Sequence, residues 1–139
     1  MLEYLTMGMD EKPFILLADD DLDSRDLYGD YLAGKGYRVA VAGNGQEALR
    51  KAGKLRPDLI VMDLAMPDIS GEAAIHSLKA DVYTKHIPVI LLTGHAVEGA
   101  AAVRKTSCQG FLIKPCEPAS LLSEILRVLN VERSSFPAC

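Results

Sequence analysis

The sequence predicts a doubly wound α/β domain in which five parallel strands are covered by helices on both faces. Three observations lead there. Five short apolar runs, Phe14–Ala18, Tyr37–Ala42, Leu59–Met62, Val89–Leu92 and Phe111–Ile113, alternate with segments of helical periodicity. That alternation is the signature of strand–helix–strand units, whose buried strands read as unbroken apolar runs. The 139 residues suit one such domain, since compact domains commonly run ~100–150 residues.

After the first run, Leu22, Leu27, Tyr28, Tyr31 and Leu32 recur at helical spacing, and Gly34 and Gly36 close the helix. Asn44 is placed to cap a second helix containing Glu47-Ala48-Leu49, with Pro57 beyond its end. Gly71–Ala80 forms a third and Val97–Ser107 a fourth. The last helix opens with Pro118 in its first turn and is expected to bury Leu121, Leu122, Ile125, Leu126 and Leu129. Residues 1–12 are expected to be a loose leader, residues 13–130 the folded domain, and residues 131–139 a frayed tail.

Composition narrows the function. With 49% hydrophobic and 24% charged residues the chain is an ordinary globular protein. A net charge of −4 and a pI near 5.3 give no general attraction to nucleic acid or anionic lipid. No apolar stretch approaches the ~20 residues that span a bilayer, and no signal peptide is visible. Cys108, Cys116 and Cys139 are odd in number and widely spaced. Such spacing fits neither a disulfide framework nor a zinc site, so a reducing cytoplasm is the expected location.

In open parallel sheets ligands bind beyond the carboxyl ends of the strands, where the strand order reverses. The first run ends in Asp19-Asp20-Asp21, the third in Asp63, the fourth in Thr93 and the fifth in Lys114-Pro115. Crowded carboxylates repel, so either some are protonated or a divalent cation sits among them. Oxygen ligands with open positions favour Mg²⁺, which retains waters and shares its shell with phosphate. The same residues would serve phosphoryl transfer, with Thr93 and Lys114 holding the transferred oxygens. Asp21 reads as a helix cap and Asp23 as a complement to the helix dipole.

Over Pro13 to Leu129 the chain resembles a two-component response-regulator receiver domain, of the single-domain, chemotaxis-regulator-like kind. The resemblance is carried by Ile15-Leu16-Leu17-Ala18-Asp19-Asp20-Asp21, by Asp58-Leu59-Ile60-Val61-Met62-Asp63-Leu64-Ala65-Met66-Pro67 with Gly71, by Val89-Ile90-Leu91-Leu92-Thr93-Gly94, and by Phe111-Leu112-Ile113-Lys114-Pro115. It implies a flavodoxin-like sheet of order 2-1-3-4-5 and makes Asp63 the phosphoacceptor. Asp19 and Asp20 would position Mg²⁺ with Asp63 and the main-chain carbonyl of Ala65. Thr93 and Lys114 would contact the phosphoryl group, Phe111 would be the aromatic whose rotamer follows Thr93, and the Lys114-Pro115 bond would be cis. By the same resemblance, Ala65 and His95 occupy positions that vary in the family and there influence the lifetime of the acyl phosphate. Ser107 stands where the family often has Gly, a turn strained if it needs positive φ.

The donor implied is a phosphohistidine on a sensor histidine kinase or a histidine phosphotransfer protein. No output domain is expected after Leu129, so a downstream protein would dock on the face of the fourth helix, fifth strand and last helix. The resemblance also allows a homodimer on activation. Two other functions share part of this pattern. A pseudo-receiver would share the fold and act only as an interaction module. A haloacid-dehalogenase-like phosphohydrolase needs Asp-x-Asp-x-Thr/Val after the first strand, and Asp23 breaks that pattern at its last position.

Overall fold

The computed structural model describes residues 12–134, with side chains to residue 130. Its elements alternate strictly: β1 Phe14–Ala18, α1 Leu22–Gly34, β2 Arg38–Ala42, α2 Gly45–Leu55, β3 Leu59–Asp63, α3 Gly71–Ala80, β4 Val89–Thr93, α4 Ala96–Thr106, β5 Gly110–Ile113 and α5 Pro118–Ser134. The five strands form one parallel sheet in the order β2-β1-β3-β4-β5. Ile15 pairs with Leu59, and Val61 with Ile90, in register. The expected leader up to residue 11 and the tail beyond residue 134 lie outside the described residues.

Because side chains alternate across a strand, each strand feeds two cores. Leu16, Ala18, Ile60, Met62, Val89 and Leu91 face α2, α3 and α4, where they meet Ala48, Ala52, Ala74, Ile75, Leu78 and Ala102. Ile15, Leu17, Leu59, Val61, Ile90 and Leu92 face α1 and α5, against Tyr28, Leu32, Leu121, Ile125 and Val128. β3 and β4 are buried at every position. Truncating one of these Leu or Ile side chains to Ala would cost about 2–5 kcal/mol.

The helix faces sharpen the sequence pattern, and two expectations, the buried face and the end of α5, need correction. On α1, Tyr28 and Leu32 are buried, but Leu22 and Leu27 are more than half exposed. Leu27 precedes Tyr28 by one residue, which turns it about 100° off the buried stripe. On α5 the buried residues are Leu121, Ile125 and Val128, and Leu126 is 45% exposed. The spacing of i, i+4 and i+7 picks Val128 and excludes Leu126. α5 also stays helical through Ser134, past the expected end at Asn130.

Several local signals act as read. Asn44 caps α2 by accepting from the Glu47 N–H, and Asp21 caps α1 by accepting from the Asp23 N–H. Ser107 ends α4 in the left-handed region, at φ 56°, a conformation that a residue with a Cβ adopts reluctantly.

Candidate functional site

The strand order reverses between β1 and β3, so the carboxyl ends of these strands bound a crevice. Asp19 follows β1 directly and Asp63 is the last residue of β3. Asp19 is 1% exposed and Asp63 8%. Asp20 points to solvent beside them. One carboxylate oxygen from each of the three lies within 4.8 Å of the other two.

Lys114, just after β5, reaches across the strand ends into this cluster. Its Nζ donates to Asp19 Oδ2 at 2.6 Å and lies 3.6 Å from Asp63 Oδ2. The second oxygen of Asp19 accepts the Asp21 N–H at 2.9 Å, and Asp63 Oδ1 accepts the Ala65 N–H at 3.2 Å. Burial pushes the Asp63 carboxyl up to about 6; Lys114 pulls it down and the Asp19 charge raises it again. Burial alone would lower the Lys114 ammonium, yet the Asp19 hydrogen bond and the two negative charges outweigh it and raise it.

These residues fit a divalent cation. A set made only of oxygens, with one ammonium for two buried carboxylates, carries excess negative charge at a water-accessible edge. A hard cation offsets such an excess, and ligation by one or two carboxylates with open positions is the pattern that suits Mg²⁺.

Thr93 closes β4 on the other side and is 1% exposed. Its Oγ1 accepts the His95 N–H at 3.1 Å, which leaves the hydroxyl hydrogen to another acceptor. His95 is the exposed N-cap of α4 and makes no side-chain capping bond. A groove of about 340 Å³ opens here between α3 and α4, lined among others by Ala65, Thr93, His95, Glu98 and Lys105.

Phe111 is half-buried on β5. Its ring packs on the backbone of Gly99 in α4, where a methyl group would overlap the ring and stand 2.7 Å from the Thr93 methyl. The Phe111 N–H donates to Glu124 on α5 at 3.2 Å. The Lys114-Pro115 bond is cis. The turn that follows is held from α1, since the Tyr28 hydroxyl donates to the Cys116 carbonyl at 2.9 Å. Burial pushes that hydroxyl up to about 12.

Asp19, Asp20, Asp63, Thr93 and Lys114 thus meet at one edge, with Ala65 and His95 on its rim and Phe111 one layer away. The sequence patterns assign no role at this site to Gly99, Tyr28 or Glu124. For Gly99 a signal existed, because a lone Gly inside a helical pattern marks a close approach. The others act on partners far away in sequence, which local patterns do not show.

Comparison with known proteins agrees with this geometry. The family model of the response regulator receiver domain matches residues 15–126. The polar-differentiation response regulator DivK of Brucella anthropi is 36% identical over 120 residues, covering 86% of this chain and 97% of that protein. The chemotaxis response regulator CheY4 of Vibrio cholerae superposes with a TM-score of 0.78 at 32% identity, over 84% of this chain and 98% of that one. The receiver domain of a sensor histidine kinase from Pseudomonas aeruginosa gives a TM-score of 0.78 at 28% identity, covering 85% and 98%. That structure holds a magnesium ion coordinated in its active-site cleft.

Proposed function

The chain belongs to the response regulator receiver domain family of two-component signalling, and from that premise we propose that it takes a phosphoryl group onto Asp63 and signals by a change of surface shape. The donor is a phosphohistidine of a sensor histidine kinase or a histidine phosphotransfer protein. Supporting this above all is the position of Lys114, whose single ammonium lies within 4.0 Å of both buried carboxylates at the switch point.

In the proposed reaction an Asp63 oxygen attacks phosphorus as the P–N bond to the donor imidazole breaks. The bonding pair returns to the ring nitrogen, and an aspartyl phosphate forms. Asp63 must be ionised to attack, and a carboxyl near 6 is mostly so at neutral pH. Asp19, Asp20, Asp63 and the Ala65 carbonyl would hold Mg²⁺, which supplies charge neutralisation at the transferred oxygens. Lys114 and the free hydroxyl hydrogen of Thr93 would each contact one phosphoryl oxygen. Water reaching the acyl phosphate past Ala65 and His95 would end the signal slowly.

For output, Thr93 moves toward the new oxygens and Phe111 follows it. The face of α4, β5 and α5 then docks a downstream protein or a second copy of the chain. The proposed setting is a reducing cytoplasm; among the described residues no helix is long and apolar enough to cross a membrane. The test is phosphotransfer from purified phosphorylated kinases and phosphotransfer proteins. Transfer should be seen with Mg²⁺ and not with EDTA, whereas a pseudo-receiver would accept from none.

A further inference from the structure

The first turn of α2 is capped from outside its own sequence. A helix leaves its first N–H groups without intrahelical partners. In α2 the Glu47 N–H is satisfied by Asn44 at 2.8 Å, while the Gly45 and Gln46 N–H groups both donate to the Asp68 carboxylate, each at 2.8 Å and each to a different oxygen. These backbone donors hold the Asp68 carboxyl below the usual range. Ile69 adds a second contact: its side chain fills the space that a methyl group on Gly45 would need.

Asp68 and Ile69 belong to the loop between β3 and α3, which starts directly after Asp63. That loop is tied at its ends, where the Leu64 N–H donates to Leu92 at 3.3 Å and the Gly71 N–H donates to Leu64 at 2.7 Å. Between them lie exposed Ala65, buried Met66 and exposed Pro67. Ala65 donates its N–H to Asp63 Oδ1. Beyond that bond the middle of the loop is held by Met66, buried in the core, and by the Asp68 carboxylate, its charged anchor.

We propose that Asp68 is a positioning residue: it clamps the acceptor loop to the N-terminus of α2 and so holds Ala65 in register with Asp63 for cation binding and phosphorylation. This rests on the assignment of Asp63 and Ala65 above. The negative charge suits the positive end of the helix dipole, and a bidentate carboxylate fixes direction as well as distance. Residues that orient ligands rather than bind the ion commonly alter affinity 10–100-fold when removed.

The experiment compares wild type, Asp68→Ala and Asp68→Asn in the full chain, with Asp81→Ala as an exposed loop control. Amide hydrogen exchange at Gly45, Gln46 and Ala65 is measured by NMR, Mg²⁺ affinity by calorimetry, and the phosphorylation rate with phosphoramidate. In Asp68→Ala all three amides should exchange faster and Mg²⁺ should bind about 10-fold more weakly. Asp68→Asn, which keeps one acceptor oxygen, should fall between, and it carries the test if the Ala variant does not fold. Asp81→Ala should match wild type. Faster exchange at Gly45 and Gln46 with Ala65 exchange and Mg²⁺ affinity unchanged would make Asp68 a helix cap only, and would overturn the proposal. If the wild type takes no phosphoryl group yet its Mg²⁺ affinity depends on Asp68, the acceptor assignment fails and the clamp stands.

Discussion

Lys114 is held closer to Asp19 than to Asp63, at 2.6 Å against 3.6 Å. Asp19 is thus the lysine's resting partner, and a phosphoryl oxygen on Asp63 would have to compete for the ammonium. Removing the lysine leaves two buried carboxylates without their cation. Lys114→Ala should lower stability at pH 7 in EDTA by about 2–4 kcal/mol, somewhat under the ~3–5 kcal/mol for losing one partner of a fully buried pair, because the lysine side chain is 21% exposed. Saturating Mg²⁺ should recover part of it. Urea unfolding with and without Mg²⁺ checks this, and equal stability in EDTA would show the pair to be dispensable.

The Asp63 carboxyl gives the metal-free protein a pH signature. In the fold it titrates at about 6, whereas an unfolded aspartate titrates near ~3.9. Between those values the folded protein keeps a proton that the unfolded chain has released, so this contribution to stability is full below the lower value and is lost as pH rises through the upper one. Asp63→Asn removes the effect and should be more stable than wild type at pH 7 by on the order of 2–3 kcal/mol. Unfolding in EDTA from pH 4 to 8 should give curves that diverge over this window; parallel curves would refute the shift.

Gly99 provides access to the Phe111 ring. A methyl group there would overlap the ring and crowd the Thr93 methyl. Gly→Ala inside a helix ordinarily gains up to ~1 kcal/mol, but Gly99→Ala must first displace the ring. The variant should accept phosphate, gain less than that helix stability, and show an altered Phe111 environment before activation. Fluorine NMR with fluorinated phenylalanine reads the ring in apo and beryllofluoride-bound protein. An apo resonance identical to wild type would mean that the ring does not depend on this contact.

His95 lines the groove beside Ala65 and Thr93, and its side chain takes no part in capping α4. His95→Ala should therefore leave the melting temperature unchanged and alter the decay of the aspartyl phosphate severalfold. Superimposable decay curves would remove the side chain from the path of the attacking water.

The sheet and the acidic edge were legible because both are written locally. β3 and β4 are unbroken apolar runs, as strands buried on both faces must be, and each reactive residue directly follows such a run. The helix faces were less legible. Amphipathic helices offer neighbouring near-equivalent stripes, and telling Tyr28 from Leu27, or Val128 from Leu126, requires knowing which side meets the sheet. Asp68 was not legible at all, since its partners Gly45 and Gln46 begin a helix 23 and 22 residues earlier and nothing near Met66-Pro67 announces them. The packing of Phe111 on Gly99 was half legible, as an isolated helical glycine with no visible neighbour.

The most direct measurement is the intact mass of the protein after incubation with phosphoramidate and Mg²⁺, for wild type and Asp63→Asn side by side. Asp63 ends β3 beside Asp19 and Lys114, so the wild type should gain one phosphoryl group that alkaline treatment removes, and the variant none. A single, equally labile phosphoryl group on Asp63→Asn would contradict the account.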